Sequence, residues 1–367
     1  MSENKGITQR ELQILNWIKQ NPLISQAELA KLANISRSSA AVHISNLMKK
    51  GYLRGKGYII SPKNSVAIIG GINFDILGAA ERKINPKTSN PGRIRHAIGG
   101  LGRNIALNLV KLGVPNYFIT VYGNDAEGEM FKQDALKNGM DITYAKQLFN
   151  AHTSNYLYLN EASGERFVGL DDMKIFDKLT PEFLTTRLTP VQNSEIVGVD
   201  ANLPEETLKW LTQNYSGPIF AKAVSLNKTL RFMPILDKID TLVINSIEVL
   251  TLTGITANDE RSARYSAEKL FDLGIKNLLI YIDEKGVLYG NRRQLSFLPE
   301  PATAINNTNG CGAAATASLI QSRLQHLSFE ETAKNAATAL YLTAGSYDPV
   351  NDELSIELIN ETKRTFY

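Results

Sequence analysis

Near its C-terminus the chain runs Asn306-Asn307-Thr308-Asn309-Gly310-Cys311-Gly312-Ala313-Ala314-Ala315-Thr316-Ala317-Ser318-Leu319-Ile320. A glycine-rich turn, then small residues, then an apolar run is how a chain enters a helix whose first N–H groups point outward, and such an end attracts anions. Alone, Gly-x-Gly is weak evidence, since glycines also punctuate ordinary loop-to-helix joints. A second cluster lies far upstream, Ile98-Gly99-Gly100-Leu101-Gly102-Arg103-Asn104, leading into a helix expected over 105–112 and ended by Gly113. Its glycines let backbone approach a ligand closely, and Asn104 can both donate to and accept from hydroxyls.

Strands must carry these turns. Val66-Ala67-Ile68-Ile69 reads as a buried strand running into Gly70-Gly71, with Asp75 expected at its carboxyl end. Ile196-Val197-Gly198-Val199-Asp200 reads as another, with Asp200 and Asn202 at its carboxyl end, where open α/β sheets gather their ligands. Leu242-Val243-Ile244-Asn245 leads into Ser246-Ile247-Glu248, and Asn245 and Glu248, three apart, share a face of a first helical turn. A capping pair has the same spacing.

Taken in this order, the motifs resemble those of the PfkB (ribokinase-like) family of sugar and nucleoside kinases, over about residues 64–360. The resemblance implies an α/β fold, a ribokinase-like parallel-sheet sandwich with a small β-lid formed by about 77–98 and 153–168. It implies transfer of the ATP γ-phosphate to a hydroxyl of a ribose-containing nucleoside or sugar, with Mg²⁺ as the metal. Asp75, Gly100, Asn104 and Asn202 would bind the substrate. Asn245, Glu248, Ser225 and Thr308 would serve the nucleotide, Asn245 and Glu248 reaching Mg²⁺ indirectly. Gly310, Cys311 and Gly312 would form the anion hole.

The family's last signature resembles Asp-Thr-x-Gly-Ala-Gly-Asp, whose final Asp deprotonates the substrate hydroxyl. Here Asn307 stands at the first Asp, Cys311 at the Ala and Ala313 at the base. Alanine accepts no proton, and general-base catalysis contributes about 10²–10⁴-fold. Tyr281 and Asp283 replace the Thr and first Gly of a phosphate-contacting segment, and Lys222 stands where relatives often carry Asp or Asn. Two readings follow: a sugar or nucleoside kinase, the pseudouridine-kinase subgroup being especially similar over Pro91–Leu112, or a regulator whose degenerate kinase domain senses such a ligand.

Residues 1–61 read as a separate winged helix-turn-helix, followed by the kinase-like domain over 64–367. Thr8 with Glu11, and Ser25 with Glu28, are capping-box pairs, and Leu12, Leu15 and Ile18 fall at helical spacing. Ser36 opens a third helix through Lys50, which would offer Arg37, Ser38, Ser39 and His43 to a major groove, with Arg54 and Lys56 on a basic wing over 51–60. Nine cations against three carboxylates give this head +6, so an overall +3 leaves the remainder at −3. A basic head on a mildly acidic body suits DNA as its partner; a small packing or dimerisation unit is the plainer alternative.

At 367 residues two domains are the natural expectation. The absence of a long apolar run excludes a membrane partner, and one cysteine, Cys311, suits a reducing cytoplasm. A homodimer is expected, since helix-turn-helix proteins commonly read two half-sites.

Overall fold

The computed structural model describes residues 6–21, 24–53, 66–163 and 166–367. Arg54 and Lys56 with most of the wing, Pro22, the Gly164-Glu165 turn and the junction between head and body lie outside these residues.

The head holds α1 (Gln9–Gln20), α2 (Gln26–Ala33) and α3 (Arg37–Lys49). Both expected capping boxes are present, and the Ser36 side chain caps α3. Asn34 ends α2 in the left-handed conformation, φ 51°, which asparagine tolerates and which turns the chain sharply into α3. The buried face of α1 is Glu11, Ile14, Leu15 and Ile18 rather than one led by Leu12, which is only half-buried. Glu11 turns inward because Lys50 reaches it at 2.7 Å, joining the start of α1 to the end of α3. That contact and the capping bonds to Thr8 outweigh burial and hold the Glu11 carboxyl below the ordinary range.

The body is built on an eight-stranded sheet. Its strands are β1 (Val66–Ile69), β4 (Asn116–Ile119), β9 (Ile196–Asp200), β10 (Ile219–Lys222), β11 (Thr241–Asn245), β12 (Asn277–Ile282), β13 (Gly286–Asn291) and β14 (Leu295–Pro299). They lie in the order β14-β13-β12-β11-β10-β9-β1-β4. From β4 to β12 every pairing is parallel; β13 and β14 add an antiparallel edge. Central strands such as Val66–Ile69 and Ile196–Asp200 are buried throughout, as parallel strands covered on both faces must be. Two apolar cores result, one on each face; the helix Cys311–Leu324 packs in one of them against the helix Phe329–Ala344 and against α4 (Leu101–Lys111).

A separate four-stranded sheet consists of β2 (Asn73–Ala80), β3 (Gly92–Gly99), β7 (Asn155–Asn160) and β8 (Arg166–Asp172), ordered β3-β2-β7-β8. A short pair, β5 (Val121–Gly123) with β6 (Lys146–Leu148), completes the strands. Asp75 lies on β2 of the four-stranded sheet, not at the carboxyl end of β1: the turn after Ile69 is only Gly70 to Ile72, and the next strand has begun by Asn73. α4 likewise begins at Leu101 rather than 105, with Gly100 as its cap at φ 100°.

Candidate active site

The carboxyl edge of the parallel strands carries Gly70-Gly71 after β1, Asp200 at the end of β9, Lys222 at the end of β10 and Asn245 at the end of β11. The site divides along this edge into two groups of residues, one on β1 and β9 and the other on β10, β11 and β12, which meet where Asp200 and Lys222 are paired in register on adjacent strands.

The first group is organised by Asp200, fully buried. One carboxylate oxygen accepts from the Gly71 and Gly102 N–H groups at 2.8 and 2.9 Å, and the other from Asn202 N–H at 2.9 Å. A single side chain thus joins the turn after β1, the first turn of α4 and the loop after β9. Burial pushes its carboxyl up, against the three N–H groups that favour the ionised form. The approach is so close that a side chain on Gly100 would strike the backbone of Gly71, Ile72 and Asn73. Around this floor Asn73 Nδ2 donates to Asp75 Oδ1 at 2.7 Å. Asn104 is buried, its carbonyl accepting from Arg103 at 3.1 Å, and Arg103 is itself held bidentate by Asp134. Lys228, which sequence reasoning did not single out, donates to Asn202 Oδ1 at 2.9 Å and lies 3.7 Å from Asp171 on β8. Burial holds its ammonium below the ordinary lysine range.

The second group surrounds Gly310-Cys311-Gly312. Gly310 is left-handed, φ 84°, and a side chain there would strike the Pro349 carbonyl, so only glycine starts this helix. Ala313 is fully buried. Beneath Gly312 lies Lys222, 3% exposed, whose side chain would collide with any Cβ at 312. Its ammonium donates to Glu248 Oε2 at 3.0 Å. Although burial disfavours the charge, Glu248 and Tyr281 more than offset it, and Lys222 stands above the ordinary lysine range. Glu248 also accepts from Asn245 N–H at 3.0 Å, while Asn245 Oδ1 accepts from Glu248 N–H at 2.7 Å. Asn245 and Glu248 therefore form a capping box, and the one carboxylate is neutralised by a lysine.

Burial pushes the Cys311 thiol and the hydroxyl of the half-buried Tyr281 each up to about 12, so both stay neutral. Beside them a cavity of about 480 Å³ is lined by Thr308, Ile305, Leu340 and the carboxylates of Asp283, Glu284 and Glu300. Burial and mutual repulsion push Asp283 and Glu300 upward. Ser225 is exposed, ahead of the short helix Leu226–Thr229.

A magnesium-nucleotide matches these residues poorly. A water-clad divalent ion needs ionised oxygens with open space before them. Glu248 instead faces a fixed ammonium, and the neighbouring cavity offers carboxylates where polyphosphate would need cations. The fit is poor on both counts.

On the head, Arg37, Ser38 and Ser39 are exposed on the first turn of α3, the two serine hydroxyls sharing the Ser36 oxygen at 2.8 Å each. His43 is half-buried, and its Nδ1 has no hydrogen-bond partner among the described residues.

The model of the pfkB family carbohydrate kinases matches residues 63–352, and that of winged helix-turn-helix DNA-binding domains matches residues 7–54. The uncharacterized sugar kinase YeiI of Escherichia coli is 32% identical over 352 residues, covering 95% of this chain and 97% of its own. Pseudouridine kinase of the same organism is 30% identical over 296 residues, 80% of this chain and 95% of its own. Arabidopsis thaliana ribokinase, solved with ribose and ATP, superposes with a TM-score of 0.70 at 22% identity over 83% of this chain and 99% of its own. Among the described residues no helix is long and apolar enough to cross a membrane. The chain belongs to the pfkB carbohydrate-kinase family and carries a winged helix-turn-helix DNA-binding domain at its N-terminus.

Proposed function

We propose that this chain is a DNA-binding regulator whose kinase-family domain binds a ribose-containing nucleoside or sugar without phosphorylating it. The observation that carries this reading is Ala313, a buried methyl group where the family resemblance expects the base. The sugar side has what recognition requires. Asp75, steadied by Asn73, is an acceptor for ribose hydroxyls, while Asn104, Asn202 and the close backbone at Gly100 complete a polar, glycine-walled pocket floor. Nothing in this role needs a proton to be removed. On the head, Arg37, Ser38, Ser39 and His43 are proposed to face the major groove, and Arg54 and Lys56 the backbone, in a homodimer reading two half-sites.

The second reading is an ATP-dependent kinase of a pseudouridine-like nucleoside or a sugar, with Mg²⁺, with Gly310, Cys311 and Gly312 as anion hole and with Ser225 and Thr308 beside the nucleotide. The similarity to pseudouridine kinase and the polar groups kept on the sugar side favour it.

Two assays on one preparation separate the readings. Phosphate transfer from Mg-ATP to pseudouridine and to ribose is measured for the chain and for Ala313→Asp. Affinity for a duplex selected by the full chain is measured with and without the same compounds. The regulator reading expects no transfer by either protein and a several-fold ligand-dependent change in DNA affinity. Transfer by the chain itself overturns it, and transfer by Ala313→Asp alone marks a kinase site lacking only its base.

A further inference from the structure

The ion pair beneath Gly312 has a role that the missing base does not explain. Besides Ala313, this half of the cleft is organised around a buried lysine. Lys222 ends β10, Glu248 lies on the helix after β11, Tyr281 is on β12, and Gly312 opens the helix above them. The Lys222 ring contact with Tyr281, 5.4 Å to the centroid, and the 3.0 Å contact with Glu248 fix the ammonium from two sides. Gly312 keeps no open cradle here, because the lysine's own methylenes fill it from below.

We propose that the Lys222 ammonium takes the place of the divalent cation, so that Glu248 binds no Mg²⁺ and the cleft holds its small-molecule ligand without metal. A second cation would meet like charge at contact distance. One of the two carboxylate oxygens, Oε2, already receives Lys222 Nζ and Asn245 N–H, each at 3.0 Å, which leaves a cation at most the other. This inference deepens the regulator reading and rests on it only for the ligand; the metal claim stands on geometry.

The test uses Mn²⁺ alone as a paramagnetic probe, titrated against the full chain, Lys222→Asn, Glu248→Gln and the Lys222→Asn, Glu248→Gln double variant. The wild-type chain is expected to show no Mn²⁺ site dependent on Glu248. Lys222→Asn, which frees the carboxylate, is expected to bind one equivalent at least about tenfold more tightly than wild type, and the double variant to lose it. A stoichiometric Mn²⁺ site in the wild-type chain that disappears in Glu248→Gln overturns the proposal. Should Lys222→Asn fail to fold, that wild-type comparison decides alone, seconded by the melting temperature, which Mg²⁺ at constant ionic strength is expected to leave unchanged. Metal binding and phosphate transfer are read separately, so a Glu248-dependent Mn²⁺ site in a chain that transfers nothing refutes this inference and spares the regulator reading.

Discussion

The two halves of the cleft use buried charge in opposite ways. On the sugar side the buried carboxylate, Asp200, is satisfied by backbone N–H groups and holds three segments of chain in place, while Asp75 on β2 accepts from Asn73. On the nucleotide side the buried carboxylate, Glu248, is satisfied by a lysine and its own helix cap, and Tyr281 stands over the same lysine. One half directs its internal hydrogen bonds to shaping a surface. The other directs them to itself, as a protein core does. The contrast teaches that neighbouring strands of one sheet edge can put a buried carboxylate to two uses, one shaping backbone and one closing an ion pair.

The contrast can be broken most severely at Lys222. Lys222→Met leaves Glu248 as an unpaired buried carboxylate and is expected to cost about 3–5 kcal/mol in chemical denaturation, whereas Lys222→Met with Glu248→Leu costs little beyond the lost cap, about 1 kcal/mol. Equal losses in the two variants would mean that the pair is not acting as core. Next in size is Asp200→Asn, which strands at least one backbone donor in the sugar-side floor and is expected to cost about 1–3 kcal/mol while weakening ribose or pseudouridine binding in calorimetry. Asp75→Ala sharpens the comparison from the other direction: it orphans the Asn73 donor and is expected to cost about 1 kcal/mol, less than Asp200→Asn, but to lower affinity for the same compounds about tenfold or more. If Asp75→Ala lowered the melting temperature as much as Asp200→Asn, Asp75 would be structural.

The smallest expected effect is electrostatic. Asp283 and Glu300 have carboxyls raised by burial and by their neighbours, so the folded state takes up protons more readily than the unfolded chain. Their favourable contribution is complete below the ordinary carboxylate value and is lost as pH rises through the raised one. Melting temperature across that window is expected to depend less on pH in Glu300→Gln than in wild type, with Glu300→Gln the more stable at neutral pH.

Much of this was legible in the sequence because it is local. Capping boxes need two residues three apart, glycine turns advertise themselves, and apolar runs in fixed order gave the sheet; both head caps and the order of the motifs stand as read. What the sequence hid is nonlocal. Lys222 and Glu248 are 26 residues apart, Asp200 and Gly71 are 129, and nothing in either stretch names its partner. Lys222 could be seen only as a departure from Asp or Asn; that it fills the space beneath Gly312 follows from strand order. Asp75 was assigned one strand too early because a three-residue turn leaves no polar stretch to mark the boundary. Ile14 was missed on α1 because Glu11, a charged residue turned inward, disguised the phase of the buried face.

Lys228 ties two layers of the body together through one ammonium. It holds the Asn202 Oδ1 oxygen, in the loop after β9, at 2.9 Å, and Asp171, on the edge strand β8 of the four-stranded sheet, lies 3.7 Å from it. On the regulator reading, a ligand that drew Asn202 Oδ1 to itself would compete with Lys228 and free that ammonium toward Asp171. Occupancy would then be passed from the large sheet to the small one by a single side chain.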